Sequence, residues 1–191
     1  MRQRDRVFVD ANELFPFSIV DLVLSLAEDL VLDFVWTDEL LEEWERVIVR
    51  KGKRTLETAQ SVSAAVRRYF VTTRIDPARY RSQARTVPGS DPADRVHTAA
   101  CAFGGATVLL SRNQRDFPID FLAEHGVTVS TADEYLTGLL RHRPAAFLAV
   151  VRRLSDDKRQ PLLTPCDLAN GFGRAGAAQL SASMRQRLAC P

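Results

Sequence analysis

Five acidic residues fall where an α/β chain concentrates its chemistry. Asp10 closes the run Arg6–Asp10 (RVFVD), directly before a helical stretch. Asp91 and Asp94 open another helix one turn apart, so both project from one face near its N-terminus. Asp116 lies in the polar loop that follows Thr107–Ser111 (TVLLS). The fifth is a glutamate on the helix TDELLEEWERVIVRK. Its apolar stripe is Leu40, Leu41, Trp44, Val47 and Ile48, bordered on one side by Glu43 and on the other by Glu45. Periodicity excludes Glu42, which points away, and leaves Glu43 and Glu45 both open. Carboxylates from distant segments that share a cleft repel one another, and a hard divalent cation with all-oxygen ligands relieves that repulsion. Such an ion activates water and offsets charge on a phosphodiester undergoing hydrolysis. Singly, each residue also has a plain structural use: aspartate is common at strand ends, and at a helix start it caps.

The elements that must position these residues alternate. Strands are expected at Arg6–Asp10, Leu32–Trp36, Thr107–Ser111 and Val127–Ser130. Helices are expected at about Glu13–Asp29, from the N-cap Thr37 to near Gly52, at Arg54–Val71, at Asp91–Phe103 with Gly104-Gly105 as its stop, and from Thr131 through Leu140. Ile75–Gly89 is expected to be loop. This order implies an α/β fold with a mainly parallel sheet, whose ligand sites lie at the carboxyl ends of strands. Beyond Pro144, Ala145–Leu154, Thr164–Phe172 and Ala175–Leu188 read as short helices without a strand signal. We therefore expect a main domain over 1–141 and a helical C-terminal extension over 142–191, acting as a cap or as a partner-binding arm.

The 191 residues, with 46% hydrophobic and 26% charged residues, suit an ordinary globular chain and exclude wholesale disorder and collagen-like repeats. No long uncharged apolar stretch suggests a membrane span. The opening MRQRDRVFVD lacks the apolar core of a signal peptide, so a cytoplasmic location is expected. Three widely spaced cysteines, Cys101, Cys166 and Cys190, make neither a disulfide framework nor a zinc knuckle, and the penultimate Cys190 is expected to fray. Net charge is only +2 but uneven. Residues 1–45 hold three arginines against twelve acids; residues 50–85 hold ten basic residues against two acids. The second stretch is a candidate surface for a phosphate backbone, or else a solvated helix face.

The ordered set VFVDAN (Val7–Asn12), LLEEWERVI (Leu40–Ile48) and DPADRVHTAACAFGGATVLLSRNQRDFP (Asp91–Pro118) resembles PIN-domain proteins, and among them VapC-like toxin nucleases of type II toxin–antitoxin pairs. The likeness covers roughly residues 5–140. It implies a three-layer α/β/α fold and an endoribonuclease dependent on Mg²⁺, with Mn²⁺ as a substitute. It implies Asp10, Glu43, Asp94 and Asp116 as catalytic, metal-holding residues, and it selects Glu43 over Glu45. The family's last segment usually carries Ser or Thr, one residue, then Asp; here it is Ser111-Arg112-Asn113, so an amide replaces the carboxylate. A family branch with Asn followed by Asp-Phe-Pro is similar to SRNQRDFP, which assigns the fourth charge to Asp116. Asn12, Asp91, Ser111 and Asn113 are supporting residues, and Arg112 and Arg115 are candidate RNA contacts. The resemblance further implies in-line attack by metal-activated water, an RNA substrate, a small cognate antitoxin and a homodimer, with no membrane role.

Other residues are assigned bland roles. His97 and Cys101 share a face of the Asp94 helix and are expected to pack there; His125 and His142 lie at the surface; Trp36 and Trp44 belong to the core. No glycine-rich loop opens a helix, which disfavours a nucleotide-binding Rossmann protein. A phosphatase using Asp10 as nucleophile lacks its second acid, because position 12 is Asn. The main alternative to a nuclease is a PIN-fold module that binds RNA or protein with weak or no catalysis.

Overall fold

The structure, a computed structural model, describes residues 4–13, 17–50, 52, 55–89 and 91–191. Pro16, expected near a helix start, and Lys51, Lys53 and Arg54 of the basic stretch lie outside the described residues. The chain divides into two compact units, Met1–Phe15 with Asp33–Ser130, and Pro16–Leu32 with Thr131–Pro191.

The first unit holds a four-stranded, all-parallel sheet in the order β2-β1-β3-β4, formed by β1 (Arg6–Val9), β2 (Asp33–Val35), β3 (Val108–Leu110) and β4 (Thr128–Ser130). The α/β class with a parallel sheet is as the alternation implies. Val7 stands opposite Phe34 on one side and Val108 on the other. β1 and β3 are apolar on both faces because a parallel sheet is covered on both. Helices α2 (Asp38–Arg50), α3 (Leu56–Tyr69), α4 (Pro92–Gly104) and α5 (Ile119–Glu124) complete this unit.

Local signals set the ends of these helices. The Thr37 hydroxyl accepts from Leu40 N, opening α2 as the N-cap reading requires. Thr55 caps α3 in the same way. Asp91 caps α4 by accepting from Ala93 N at 2.7 Å, with Pro92 in the first turn, where its missing N–H costs nothing. Gly105 stops α4 at φ 78, a conformation that suits glycine. Gly104 is fixed by crowding, since a Cβ there would lie 2.5 Å from Ile75 Cγ2. The expected loop 75–89 contains short 3₁₀ turns at Pro77–Arg79 and Gln83–Arg85. Trp36 and Trp44 are buried in the core, as expected.

The second unit is helical: α1 (Phe17–Glu28), α6 (Ala132–His142), α7 (Pro144–Asp157), α8 (Pro165–Arg174) and α9 (Ala178–Leu188). α6 and α8 each open with a capping box, Thr131 with Glu134 and Thr164 with Asp167. α9 opens after Ala177, which has no side-chain acceptor. Its first amides are satisfied from α6 instead: Asp133 accepts from Gln179 N at 3.0 Å and Leu180 N at 2.8 Å. Arg153 reaches Ser25 O and the carboxylates of Glu28 and Asp29, joining α7 to the end of α1.

One expectation is corrected here. Cys166 and Cys190 form a disulfide with Cα atoms 5.8 Å apart, so Cys190 is tied rather than frayed. The cysteines are 24 residues apart in sequence, and only the close packing of α8 on α9 brings them together. Cys101 is free and buried. No helix among the described residues is long and apolar enough to cross a membrane.

Candidate active site

β1 lies between β2 and β3, so the chain moves to one side of it for β2 and to the other for β3. That reversal opens a crevice at the carboxyl ends of β1 and β3, the standard ligand position of an open parallel sheet. Asp10 and Ser111 are the residues that follow those two strands. Asp10 N donates to Leu110 O at 2.8 Å, and Ser111 N donates to Ser130 O at 2.9 Å, so the ladder itself places both side chains. The Ser111 hydroxyl donates to Asp10 Oδ2 at 2.9 Å and accepts from Asn113 N at 3.1 Å. Asp10 is 3% exposed. Burial pushes its carboxyl above the usual range, the Ser111 bond and His97 oppose that push, and Glu43 adds to it.

Asp94 occupies the first turn of α4 and is half-buried. Its pKa is pushed up to about 6, first by burial, then by the like charges of Asp91, Asp10 and Asp116. Carboxylates from β1, from the start of α4 and from the 3₁₀ turn Gln114–Asp116 therefore act on one another. Asp91 contributes as an electrostatic neighbour while its side chain serves the helix cap. Asp116 and Asn113 are exposed.

Glu43 and Glu45 go to opposite edges of α2. Glu43 Oε2 lies 2.7 Å from His97 Nε2, and Glu45 lies beside Arg67 on the other edge. The bond to His97, opposed by burial, holds Glu43 below its ordinary pKa. His97 is 2% exposed and its ring lies tilted against Phe8, 5.5 Å between centroids. With a carboxylate as partner, Nε2 is the donor; the other ring nitrogen, Nδ1, is buried without a partner. Packing of His97 on its helix face is as expected; its grip on Glu43 is what the sequence reading missed. The available signal was its place one turn after Asp94.

Glu13 is a second residue that the sequence does not single out. It falls within the helix expected over Glu13–Asp29, but it sits in the turn after β1, where its N donates to Asp10 O at 2.9 Å, and it is 2% exposed. Arg112 Nε donates to Glu13 Oε2 at 2.9 Å. One candidate RNA contact is thus engaged within the protein, whereas Arg115 is exposed. The basic stretch is partly consumed as well: Arg67 and Arg74 pair with Asp38, and Arg81 pairs with Glu39. Asn12 is half-buried beside Asp10. A hollow of about 200 Å³ between α2 and α4, lined by Glu43 and His97, adjoins this edge of the cluster.

The donors are hard oxygens and their mutual repulsion calls for a cation, which fits Mg²⁺ or Mn²⁺ in kind and charge. Their placement is looser than a closed cage: among the described residues, no group of three or more His, Cys, Asp or Glu side chains converges closely enough to hold a metal ion. The arrangement is a shared negative field at a sheet switch point, with one carboxylate held by a serine and another by a buried histidine.

Comparison with known proteins bears on the other unit. Residues 132–186 match the family model described as the VapC50 C-terminal domain. No curated protein and no solved structure matches the chain. The matched segment covers α6 to α9 almost entirely, and over this segment the chain is similar to a VapC C-terminal domain.

Proposed function

We propose that the protein is a Mg²⁺-dependent endoribonuclease acting as the toxin of a toxin–antitoxin pair. The observation that carries the reading is a chain of like-charge couplings where the sheet order reverses: Glu43 acts on Asp10, and Asp10 and Asp116 act on Asp94, although these acids come from separated segments. The match of α6–α9 to a VapC C-terminal domain supports the toxin part. In this proposal those four carboxylates hold the metal. When bound, a divalent cation supplies Lewis acidity that activates water and offsets charge on the phosphodiester. The chain's own residues prepare that chemistry. Ser111 fixes one oxygen of Asp10, and His97 holds Glu43 in one orientation. Asp94 is the group whose charge is least stable without a counter-ion. Arg115 is available to an RNA phosphate, and Arg112 becomes available if Glu13 releases it. Asn12, Asp91 and Asn113 border the cluster in supporting roles.

The same proposal includes an antitoxin partner, a homodimer, a cytoplasmic location and a nuclease segment over 1–141 followed by an extension over 142–191. In a reducing cytoplasm the Cys166–Cys190 pair would stand as two thiols. Purified protein incubated with total RNA, with Mg²⁺ and with chelator, tests the activity. Cleavage that needs Mg²⁺ and disappears in Asp94→Asn supports the reading; cleavage unchanged in that variant refutes the assigned centre. Growth arrest on expression, relieved by an adjacent small open reading frame, tests the toxin role.

A second reading, a binding module with weak or no catalysis, draws on the open placement of the carboxylates and on Asn113 standing in for an acid. Metal titration separates the two. A nuclease centre binds Mg²⁺ or Mn²⁺ and loses it in Asp10→Asn; a binding module shows no difference.

A further inference from the structure

The helical unit contains a polar hollow that the nuclease reading does not use. It measures about 360 Å³, within the size range of small-ligand pockets, and is lined by Thr137, Leu140, Arg141, Ser183, Gln186 and Arg187. Asp133 binds the first amides of α9 from the first turn of α6, so the two helices start side by side and run in the same direction. Their last turns therefore meet, and the hollow lies between them.

Three features distinguish this place from an ordinary surface dent. Arg141 and Arg187 are exposed at its edge, and no ion pair joins either to a described carboxylate. Arg143, Arg153 and Arg185 of this unit are engaged, with Val31 O, with Glu28 and Asp29, and with Asn170; Arg152, Arg159 and Arg174 are without an ion pair among the described residues as well, but none of them lines the hollow. No acidic residue lines the hollow. Thr137, 8% exposed, carries a buried hydroxyl without a partner. A threonine inside a helix commonly turns its hydroxyl onto the preceding turn's carbonyl; this one does not. A buried hydroxyl left unpaired costs stability, and a turn of this side chain toward the hollow would let a ligand acceptor remove that cost.

We propose that this hollow binds a phosphate group. Two guanidinium forks from neighbouring helix ends match the tetrahedral oxygens of a phosphate, and the hydroxyls of Ser183 and Thr137 and the amide of Gln186 supply further donors. The competing account is that each arginine merely offsets the negative end of its own helix. That account leaves the orphan hydroxyl and the absence of lining acids unexplained. The phosphate comes from one of two sources, the backbone of an RNA strand or a free phosphate compound.

The test is run in chelator, so it does not depend on catalysis or on the acidic site. Full-length protein is titrated calorimetrically with sodium phosphate at fixed ionic strength, and separately by anisotropy with a labelled single-stranded RNA. The variants are Arg141→Gln/Arg187→Gln, Thr137→Val, and a control pair of equal charge loss elsewhere in this unit, Arg152→Gln/Arg159→Gln. The pocket pair is expected to weaken at least one probe by about tenfold or more. For RNA, the dependence of binding on salt should become shallower by about one to two phosphate contacts. The control pair should stay close to wild type. A loss confined to sodium phosphate identifies a free phosphate ligand; a loss for RNA identifies the backbone. If wild type binds neither probe, or the pocket pair matches the control pair with both, the site does not exist.

Discussion

Two aspartates occupy the first turns of two helices in the same unit, and the fold treats them oppositely. Asp38, at the start of α2, is partly desolvated, which alone would raise its pKa. Hydrogen bonds and charge from Arg74, then Arg67, outweigh that and hold it below its ordinary value. Its neighbour Glu39 is lowered in the same way, by Tyr80 and Arg81 against burial. Asp94, at the start of α4, faces Asp91, Asp10 and Asp116 and is pushed up to about 6. A helix N-terminus favours a negative charge in both cases. The difference is tertiary. Around Asp38 the fold spends its arginines on structure, tying the 67–81 segment back to α2. Around Asp94 it brings up more acids. Paired carboxylates stabilise a fold; a like-charged set costs stability, and such perturbed groups concentrate at functional sites.

The contrast can be broken at either end. The largest effect is expected from Asp94→Asn, which should lower Mg²⁺-dependent RNA cleavage by at least about a hundredfold. The same change relieves repulsion, so without metal the melting temperature should hold or rise, by roughly 1–3 °C after screening. A clear fall in stability would place Asp94 with the structural acids. Next, His97→Leu removes the group that orients Glu43, and cleavage should fall by about 10–100-fold with Asp94 and Asp10 intact. Unchanged cleavage would mean that Glu43 needs no such support.

On the paired side, Arg74→Gln should lower stability by about 1 kcal/mol or less, since the pair is partly exposed, and leave cleavage intact. The smallest and most discriminating effect is the pH profile of melting. Asp38 and Glu39 have folded pKa values below their ordinary 3.8 and 4.5, so they contribute stability that is present above those values. It is lost as pH falls through their lower folded values. Asp94 has the opposite sign. Between 3.8 and about 6 the folded state holds a proton that the unfolded state has released. Stability contributed by this group therefore falls as pH rises through that window. Metal-free wild type should gain slightly from pH 7 to 5 and then lose stability below 4; Asp94→Asn should flatten the first limb, to which the raised Asp10 also contributes, and leave the second. Added Mg²⁺ should stabilise wild type at pH 7 more than at pH 5, because protonated Asp94 competes with the ion.

Much of this was legible from the chain. The apolar runs at Arg6–Asp10 and Thr107–Ser111, the cap at Thr37 and the glycine stop after α4 are short-range signals, and each element forms where its signal lies. The candidate residues Asp10, Ser111 and Asp94 could be placed because strand ends and helix starts are local features. Glu43 could not be separated from Glu45 by periodicity alone, since both border the same stripe. The distinction lies in what faces them across space, His97 for one and Arg67 for the other. Glu13 was hidden for a different reason. It reads as the first residue of a helix, whereas the turn after β1 keeps it outside α1 and buries it where Arg112 can reach it.

The sequence by itself determined the order of elements, the parallel sheet and the set of acids able to meet at its switch point, because hydrophobic period and capping act within a few residues. Only the tertiary structure decided which charges are neutralised and which are left to repel, why Cys190 meets Cys166, and where two arginines and a threonine line one hollow. Those outcomes depend on distances between groups tens of residues apart. Electrostatic energy follows those distances and the local burial, which no periodicity encodes.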